Sequence, residues 1–154
     1  MNKWLIIFLL LTANVSLAND TNEEIIILPP SGIDRVYDGD TFFINLSLLT
    51  PIFGDSLPIR AKGYDTPEIR SYCDTEEQKA SERALGHKAR EKVTELFNNA
   101  KVIALKDLER GKYFRVLATV YVDGEPLGTL LIDNDLAVPY DGGTRYNWCD
   151  KVVM

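Results

Sequence analysis

The sequence predicts an α+β domain in which five short β-strands form a small barrel beside one long helix and one short helix. Residues 41–48 alternate apolar and polar side chains, as a half-buried strand does. Residues 75–98 instead repeat apolar side chains at helical spacing. Asp-Gly pairs, which are strong turn signals, separate the strand-like segments. Together these observations indicate one mixed domain.

The beginning of the chain has the organisation of an export signal. Lys3 supplies a positive charge, residues 4–11 are an unbroken apolar run, and a small-residue motif ends at Ala18. The alternative is a membrane anchor, but the apolar run is too short to span a bilayer comfortably. We therefore expect cleavage after Ala18 and a secreted or periplasmic product that is not attached to a membrane.

The elements of the mature chain follow from local patterns. Residues 19–31 are predicted to be a lead-in segment, and residues 32–154 form one domain. Strands are predicted at runs of β-branched and aromatic residues, and helices where the apolar period lengthens. The predicted order is strands 33–37, 41–48 and 57–64 with a loop at 50–56, helix 75–98, strands 101–105 and 116–122, and helix 126–135.

The long helix is the best-marked element. Thr75 followed three residues later by Gln78 fits a capping box. One apolar stripe is made by Leu85, Ala89, Val93, Leu96 and Phe97. Three strands, a helix and two further strands is the order expected of an OB-type barrel. Such barrels commonly present loops and one sheet face to oligonucleotides, although a fold alone does not settle function.

The composition limits how the chain could bind a polyanion. Its formal net charge is −6, and loss of Lys3 with the signal makes the mature chain more acidic still. This argues against a histone-like coating protein, whose affinity would come from a broad basic surface. Attraction for nucleic acid would have to be concentrated at one site, with a metal helping to offset the phosphate charge.

The two cysteines, Cys73 and Cys149, permit a disulfide in an exported protein. They do not make a tetrahedral zinc site by themselves, and His87 is the only histidine. We therefore expect Cys73 and Cys149 to be bridged.

Three short segments are candidates for chemistry: residues 38–41 (DGDT), 65–68 (DTPE) and 112–115 (KYFR). Each alone has a structural explanation, namely a turn, a helix start with Pro at its first position, and a solvated charge beside a strand. Taken together they are more specific. Asp40 and Asp65 lie at the ends of predicted elements that a barrel could bring together. Two carboxylates, a backbone carbonyl and waters make a hard-oxygen site for calcium.

The charged neighbours of this site suit phosphodiester hydrolysis. Glu68 follows Asp65 by three residues, while Arg60 precedes it on the incoming strand and Arg115 begins the fifth strand. A phosphodiester gains negative charge as water attacks, and planar guanidinium groups match its oxygens. A carboxylate that activates water, cations that hold the phosphoryl group and a metal are the parts such a reaction needs.

Three runs of sequence resemble the staphylococcal nuclease-like (thermonuclease) family: VYDGDTFFI, IRAKGYDTPEIR and GKYFRVLATVYVDG. They occur in the family's order, with the long helix between the second and third, and the resemblance extends from about Ile33 to about Tyr140. It implies an OB-fold endonuclease or exonuclease that uses calcium and cleaves DNA and RNA.

The resemblance also implies a role for individual residues. Asp40 and Asp65 resemble the family's metal ligands, with the backbone carbonyl of Thr66 as a third. Glu68 resembles the residue that orients or deprotonates the attacking water. The phosphoryl group would be held by Arg60 and Arg115, which resemble the family's two catalytic arginines. Substrate contacts are expected from Tyr113 and Lys112.

The chain departs from the family's best-known members in being acidic, which favours single strands over duplex as the substrate. Its segment after Tyr140 is short, so no site residue is predicted there, and Trp148 is expected to be a packing residue. Two other functions are open: an inactive OB module that binds single strands or a peptide, and a structural periplasmic protein. Intact catalytic residues favour the enzyme over both. We expect a monomer with no stable protein partner.

Overall fold

A computed structural model describes residues 24–151 and contains a curled seven-stranded sheet, a small two-stranded sheet and one long helix. The strands are β1 (Ile26–Leu28), β2 (Ile33–Val36), β3 (Thr41–Ile44), β4 (Leu57–Ala61), β5 (Gly63–Asp65), β6 (Ile103–Arg110), β7 (Val116–Val122), β8 (Glu125–Pro126) and β9 (Val138–Tyr140). The helices are α1 (Pro51–Gly54), α2 (Glu76–Asn99) and α3 (Leu127–Ile132). Single turns of 3₁₀-helix occur at Pro30–Gly32, Lys112–Phe114 and Trp148–Asp150. The predicted export signal lies outside the described residues.

The main sheet has the order β1-β6-β7-β4-β3-β2, and β8 pairs with β7. All its pairs are antiparallel except β4 with β7, which run parallel. The second sheet pairs β5 with β9. The mixed α+β class is confirmed. The count of five strands is not, since the five predicted strands are joined by further short ones.

Helix α2 and strand β7 agree closely with the prediction. Thr75 is the N-cap of α2, and the reciprocal capping box with Gln78 is present. Strand β7 has the predicted bounds. These are the elements with the strongest local signals, namely a cap with a helical stripe and a run of β-branched residues.

Several predicted boundaries are wrong. Strand β3 ends at Ile44 because Leu46 donates its backbone N–H to Gly54 across a turn, leaving Leu48 98% exposed. The predicted loop 50–56 contains α1. The predicted strand 57–64 is interrupted at Lys62, directly before Gly63, whose positive φ of 91° departs from extended backbone. Strand β6 begins two residues later than predicted and continues to Arg110, and α3 is shorter than the predicted 126–135.

The core lies between the curled sheet and α2. The ring of Phe42 on β3 meets that of Phe97 on α2 edge to face, with centroids 5.0 Å apart. The other fully buried apolar side chains of the core include Ile44, Ile59, Val93, Ile103, Leu105, Leu127 and Leu131. Each large apolar side chain contributes about 1.5–3 kcal/mol on burial. This core fixes the start of β3, directly after the turn that carries Asp40, and the end of β5 at Asp65.

A disulfide joins Cys73 to Cys149, with Cα atoms 5.6 Å apart. It ties the segment after β9 to the loop that precedes α2. Trp148, next to Cys149, is 3% exposed. Within residues 24–151, no helix has the length and apolar character needed to cross a bilayer.

Candidate active site

The turn between β2 and β3 presents Asp40. The carboxylate that caps this turn is Asp38, which accepts hydrogen bonds from the backbone N–H groups of Asp40 (3.1 Å) and Thr41 (2.8 Å). The side chain of Asp40 is therefore not needed to stabilise the turn, so the purely structural explanation of this residue does not hold. One of its oxygens accepts the hydroxyl of Thr41 at 2.9 Å. Tyr64 stabilises the turn by donating a hydrogen bond from its hydroxyl to the carbonyl of Gly39 at 3.1 Å.

Strand β5 ends at Asp65 and leads into the loop that carries Thr66 and Glu68. Two glycines let this loop seat closely. A Cβ atom at Gly39 would lie 2.7 Å from Cγ2 of Thr66. The turn between β2 and β3 is therefore in direct contact with the loop that follows β5. A Cβ atom at Gly86 on α2 would lie 2.9 Å from the carbonyl oxygen of Pro67. The predicted alternative, a helix starting at Thr66, is not adopted, since residues 66–75 precede α2 without helical structure.

Gly86→Ala is expected to disturb the site although alanine favours helix by about 1 kcal/mol. The added methyl meets backbone atoms of the Glu68 loop, which cannot rotate away as a side chain can. We expect a loss of about 1–3 kcal/mol in the free energy of unfolding, typical of overpacking. Activity should also fall, since a displacement of about 1 Å can cost about 100-fold in rate.

The measurements for Gly86→Ala are thermal unfolding and kcat for the nucleic-acid hydrolysis that the sequence resemblance implies. Lys88→Ala, at an exposed position of the same helix, is the control and should leave both unchanged. Wild-type stability and kcat in Gly86→Ala would contradict the tight seating of the loop.

Arg60 lies between the two aspartates. Its Nη2 is 2.8 Å from Oδ2 of Asp40 and 3.9 Å from Oδ1 of Asp65. Both aspartates are almost completely buried, with 1% and 0% of their side chains exposed. Burial, and then the neighbouring charge of Asp38, raise the pKa of Asp40 to about 8 despite the opposing effect of Arg60. Burial and the charge of Asp38 thus disfavour the ionised form of Asp40 more strongly than Arg60 favours it.

A second arginine, which the sequence did not predict, contacts the site from the C-terminal side. Nε and Nη2 of Arg145 donate to Oδ1 of Asp65 at 2.8 and 2.6 Å, and Nη1 donates to Oε1 of Glu68 at 2.6 Å. Nε1 of Trp148 donates to Oδ2 of Asp65 at 3.0 Å. Partial burial disfavours the charge of Arg145, but its hydrogen bonds to Glu68 and Asp65 outweigh this and raise its pKa. Trp148 is buried as expected, yet it also binds a predicted metal ligand.

Arg115 lies directly before β7, the parallel neighbour of β4, but it does not reach the carboxylates. Arg60 on β4 pairs with Leu117 of β7, two residues after Arg115. Within residues 24–151 its side chain makes no hydrogen bond or ion pair with the acidic cluster, and its buried Nε has no hydrogen-bond partner. Its guanidinium carbon is 6.0 Å from the ring centroid of Tyr113.

The two predicted substrate contacts are exposed. Tyr113 is 85% exposed and lies on a single 3₁₀ turn with Lys112, which is also exposed. Tyr113 and its neighbour Phe114 have positive φ angles of 58° and 60°. This turn leaves an exposed aromatic ring near Arg115, where it is accessible to a ligand.

The donor set fits a hard cation. Two buried carboxylates converge on one guanidinium nitrogen, and Oδ2 of Asp40 accepts no hydrogen bond within the described chain apart from its ion pair with Arg60. Together with the carbonyl of Thr66, Asp40 and Asp65 are oxygen donors of the kind that calcium and magnesium take. Cys73, Glu82 and Cys149 also cluster, but both sulfurs are used in the disulfide and this group does not form a thiolate site.

The sequence model of the family described as staphylococcal nuclease homologue matches residues 58–150, more than half of the chain. The chain belongs to this family. A comparison with curated proteins gives no match. The matched region contains Arg60, Asp65, Glu68 and Arg115, whereas Asp40 precedes it. The family indicates nuclease activity on nucleic acid, and its members are typically metal-dependent.

Proposed function

We propose that the chain is an exported, calcium-dependent nuclease that hydrolyses phosphodiester bonds of DNA and RNA. The observation that carries the proposal is the convergence of Asp40 and Asp65 on Arg60, in a member of a nuclease family. Glu68 lies on the same loop as Asp65, and one guanidinium group touches both carboxylates. Endonucleolytic and exonucleolytic attack are both compatible with this site.

Each group of the site has a distinct task. Asp40, Asp65 and the carbonyl of Thr66 would hold the calcium ion, which supplies positive charge against the phosphoryl group when bound. Glu68, with 21% of its side chain exposed, is open enough to meet a water molecule and take its proton. Arg60 holds the phosphoryl oxygens, and Arg115 stabilises the charge that develops on them and on the leaving oxygen.

The acidic surface of the protein favours single-stranded nucleic acid over duplex as the substrate. The chain is acidic overall, so few phosphate contacts are offered beyond Arg60, Arg115 and Lys112. A flexible strand can bring one phosphate to this site while a base stacks on the exposed ring of Tyr113. A duplex at equal concentration should be hydrolysed more slowly, because its rigid, highly charged backbone meets the acidic surface.

Export is supported by the signal-like first eighteen residues and by the disulfide, which persists in oxidising compartments. We propose a secreted or periplasmic location for the mature chain and a monomeric state.

The experiment that tests the metal site is calorimetric titration of residues 19–154 with calcium, in the wild type and in Asp40→Asn. Loss of one buried charged ligand should weaken binding at least about tenfold, since a hydrogen-bonded or coordinated charge is worth at least about 1.4 kcal/mol. Asp74→Asn, at an exposed position outside the site, is the matched control and should bind calcium as the wild type does. Equal affinity in Asp40→Asn would show that the cation binds elsewhere.

A further inference from the structure

The residues 145–149, named here the C-terminal clamp, occupy both oxygens of Asp65. Oδ1 accepts two hydrogen bonds from Arg145, and Oδ2 accepts one from the indole of Trp148. The same guanidinium donates to Glu68. Arg145 thus bridges a proposed calcium ligand and the proposed water-activating carboxylate.

Calcium and Arg145 place opposite demands on Asp65. A calcium ion takes six to eight oxygen ligands at short distance. A guanidinium group offers only N–H donors and no lone pair, so it cannot share that coordination shell. Both are cations that stabilise the same buried carboxylate. Calcium and Arg145 therefore compete for Asp65, because each would neutralise the same carboxylate and each would occupy the same position beside it.

We propose that Arg145 is the built-in counter-ion of the calcium site, which calcium must displace from Asp65 and Glu68 before hydrolysis. The inference rests on the proposed function for the identity of the cation. Arg145 is a positioning residue in this scheme: it holds Glu68 and Asp65 in place while no calcium is bound, and it sets the calcium concentration at which the site fills.

The clamp is anchored at one end and movable at the other. Trp148 is 3% exposed, and Cys149 is bonded to Cys73, so this end is fixed to the core. The side chain of Arg145 is 42% exposed, so it can turn outward into water without disturbing Trp148. Calcium can therefore replace the guanidinium at Oδ1 while the indole remains on Oδ2.

The anchor is also linked to the catalytic loop through Glu82, which is 6% exposed on α2. Its Oε1 accepts the backbone N–H of Glu68 at 3.2 Å, and its Oε2 lies 3.2 Å from the sulfur of Cys73. The loop that carries Glu68 and the clamp that carries Arg145 are thus held against the same point of α2. Their juxtaposition is a built feature of the fold.

The test is calcium binding by Arg145→Gln, measured by calorimetry with calcium alone and no nucleic acid. Removing the competing cation should tighten calcium binding at least about tenfold, because charge-assisted hydrogen bonds no longer have to be broken. Arg145→Lys keeps the charge but loses the fork of donors, and should fall between the wild type and Arg145→Gln. Arg83→Gln, at a similarly exposed arginine of α2, is the control and should match the wild type.

Thermal unfolding gives a second readout. In chelator, Arg145→Gln should melt below the wild type, since Asp65 loses its nearer counter-ion and keeps only Arg60 at 3.9 Å. Calcium should raise the melting temperature of Arg145→Gln by more than that of the wild type. Calcium affinity in Arg145→Gln that equals or falls below that of a calcium-binding wild type would overturn this inference alone. Failure of the wild type and every variant to bind calcium would overturn the proposed metal site as well.

Discussion

Glu68→Gln is expected to lower kcat for hydrolysis of single-stranded DNA at least about 100-fold, the smaller end of what a general base contributes. The amide keeps the size of the side chain and can still accept a hydrogen bond from Arg145, but it cannot take a proton from water. The fold and calcium binding should be retained, because the proposed calcium ligands are Asp40, Asp65 and the carbonyl of Thr66.

The measurement is single-turnover cleavage at saturating calcium, which separates the chemical step from product release. Glu91→Gln, an exposed glutamate on α2, is the matched control and should retain wild-type turnover. Near wild-type cleavage by Glu68→Gln would remove Glu68 from the chemistry.

Arg115→Ala should lower kcat by a similar factor, at least about 100-fold, since one donor to a developing oxyanion is worth about 2.7–4 kcal/mol. Within residues 24–151 the guanidinium of Arg115 forms no ion pair with a carboxylate, so the charge of this group is not already neutralised by a protein partner. Arg115→Lys should recover only part of the rate, because an ammonium cannot bind two oxygens in parallel.

The control for Arg115→Ala is Arg110→Ala, since Arg110 is exposed at the end of β6 beside the start of β7. It should change kcat little. Comparable losses of kcat in the two variants would mean that the surface contributes general positive charge and that Arg115 has no specific part in the reaction.

What the sequence could predict of the fold depended on local signals. The capping box at Thr75 and the run of β-branched residues in β7 determine their elements within a few positions, and both predictions are confirmed. The predicted end of β3 was wrong because a backbone hydrogen bond from Leu46 to Gly54 ends the strand although apolar and polar residues continue to alternate. The break at Lys62 precedes Gly63, whose positive φ of 91° is a conformation that glycine permits but that the local pattern does not require.

The candidate site divides in the same way. Asp40, Asp65 and Glu68 could be predicted as site residues because each belongs to a short motif, and in the structure they lie close together around arginine side chains. Arg145 escaped notice because it meets Asp65 across 80 positions of sequence. One signal could have indicated it: a bridge from Cys149 to Cys73 brings the clamp within reach of the loop that follows Asp65.

The proposed calcium-dependent nuclease is tested most directly by cleavage of a single-stranded oligonucleotide by purified residues 19–154. Parallel reactions contain calcium, magnesium or excess chelator, with Glu68→Gln as the inactive control. We expect hydrolysis to be fastest with calcium, because flexible hard-oxygen sites accommodate its larger coordination shell. We expect no hydrolysis in chelator. Full activity in excess chelator, or no cleavage under any metal condition, would contradict a calcium-dependent nuclease.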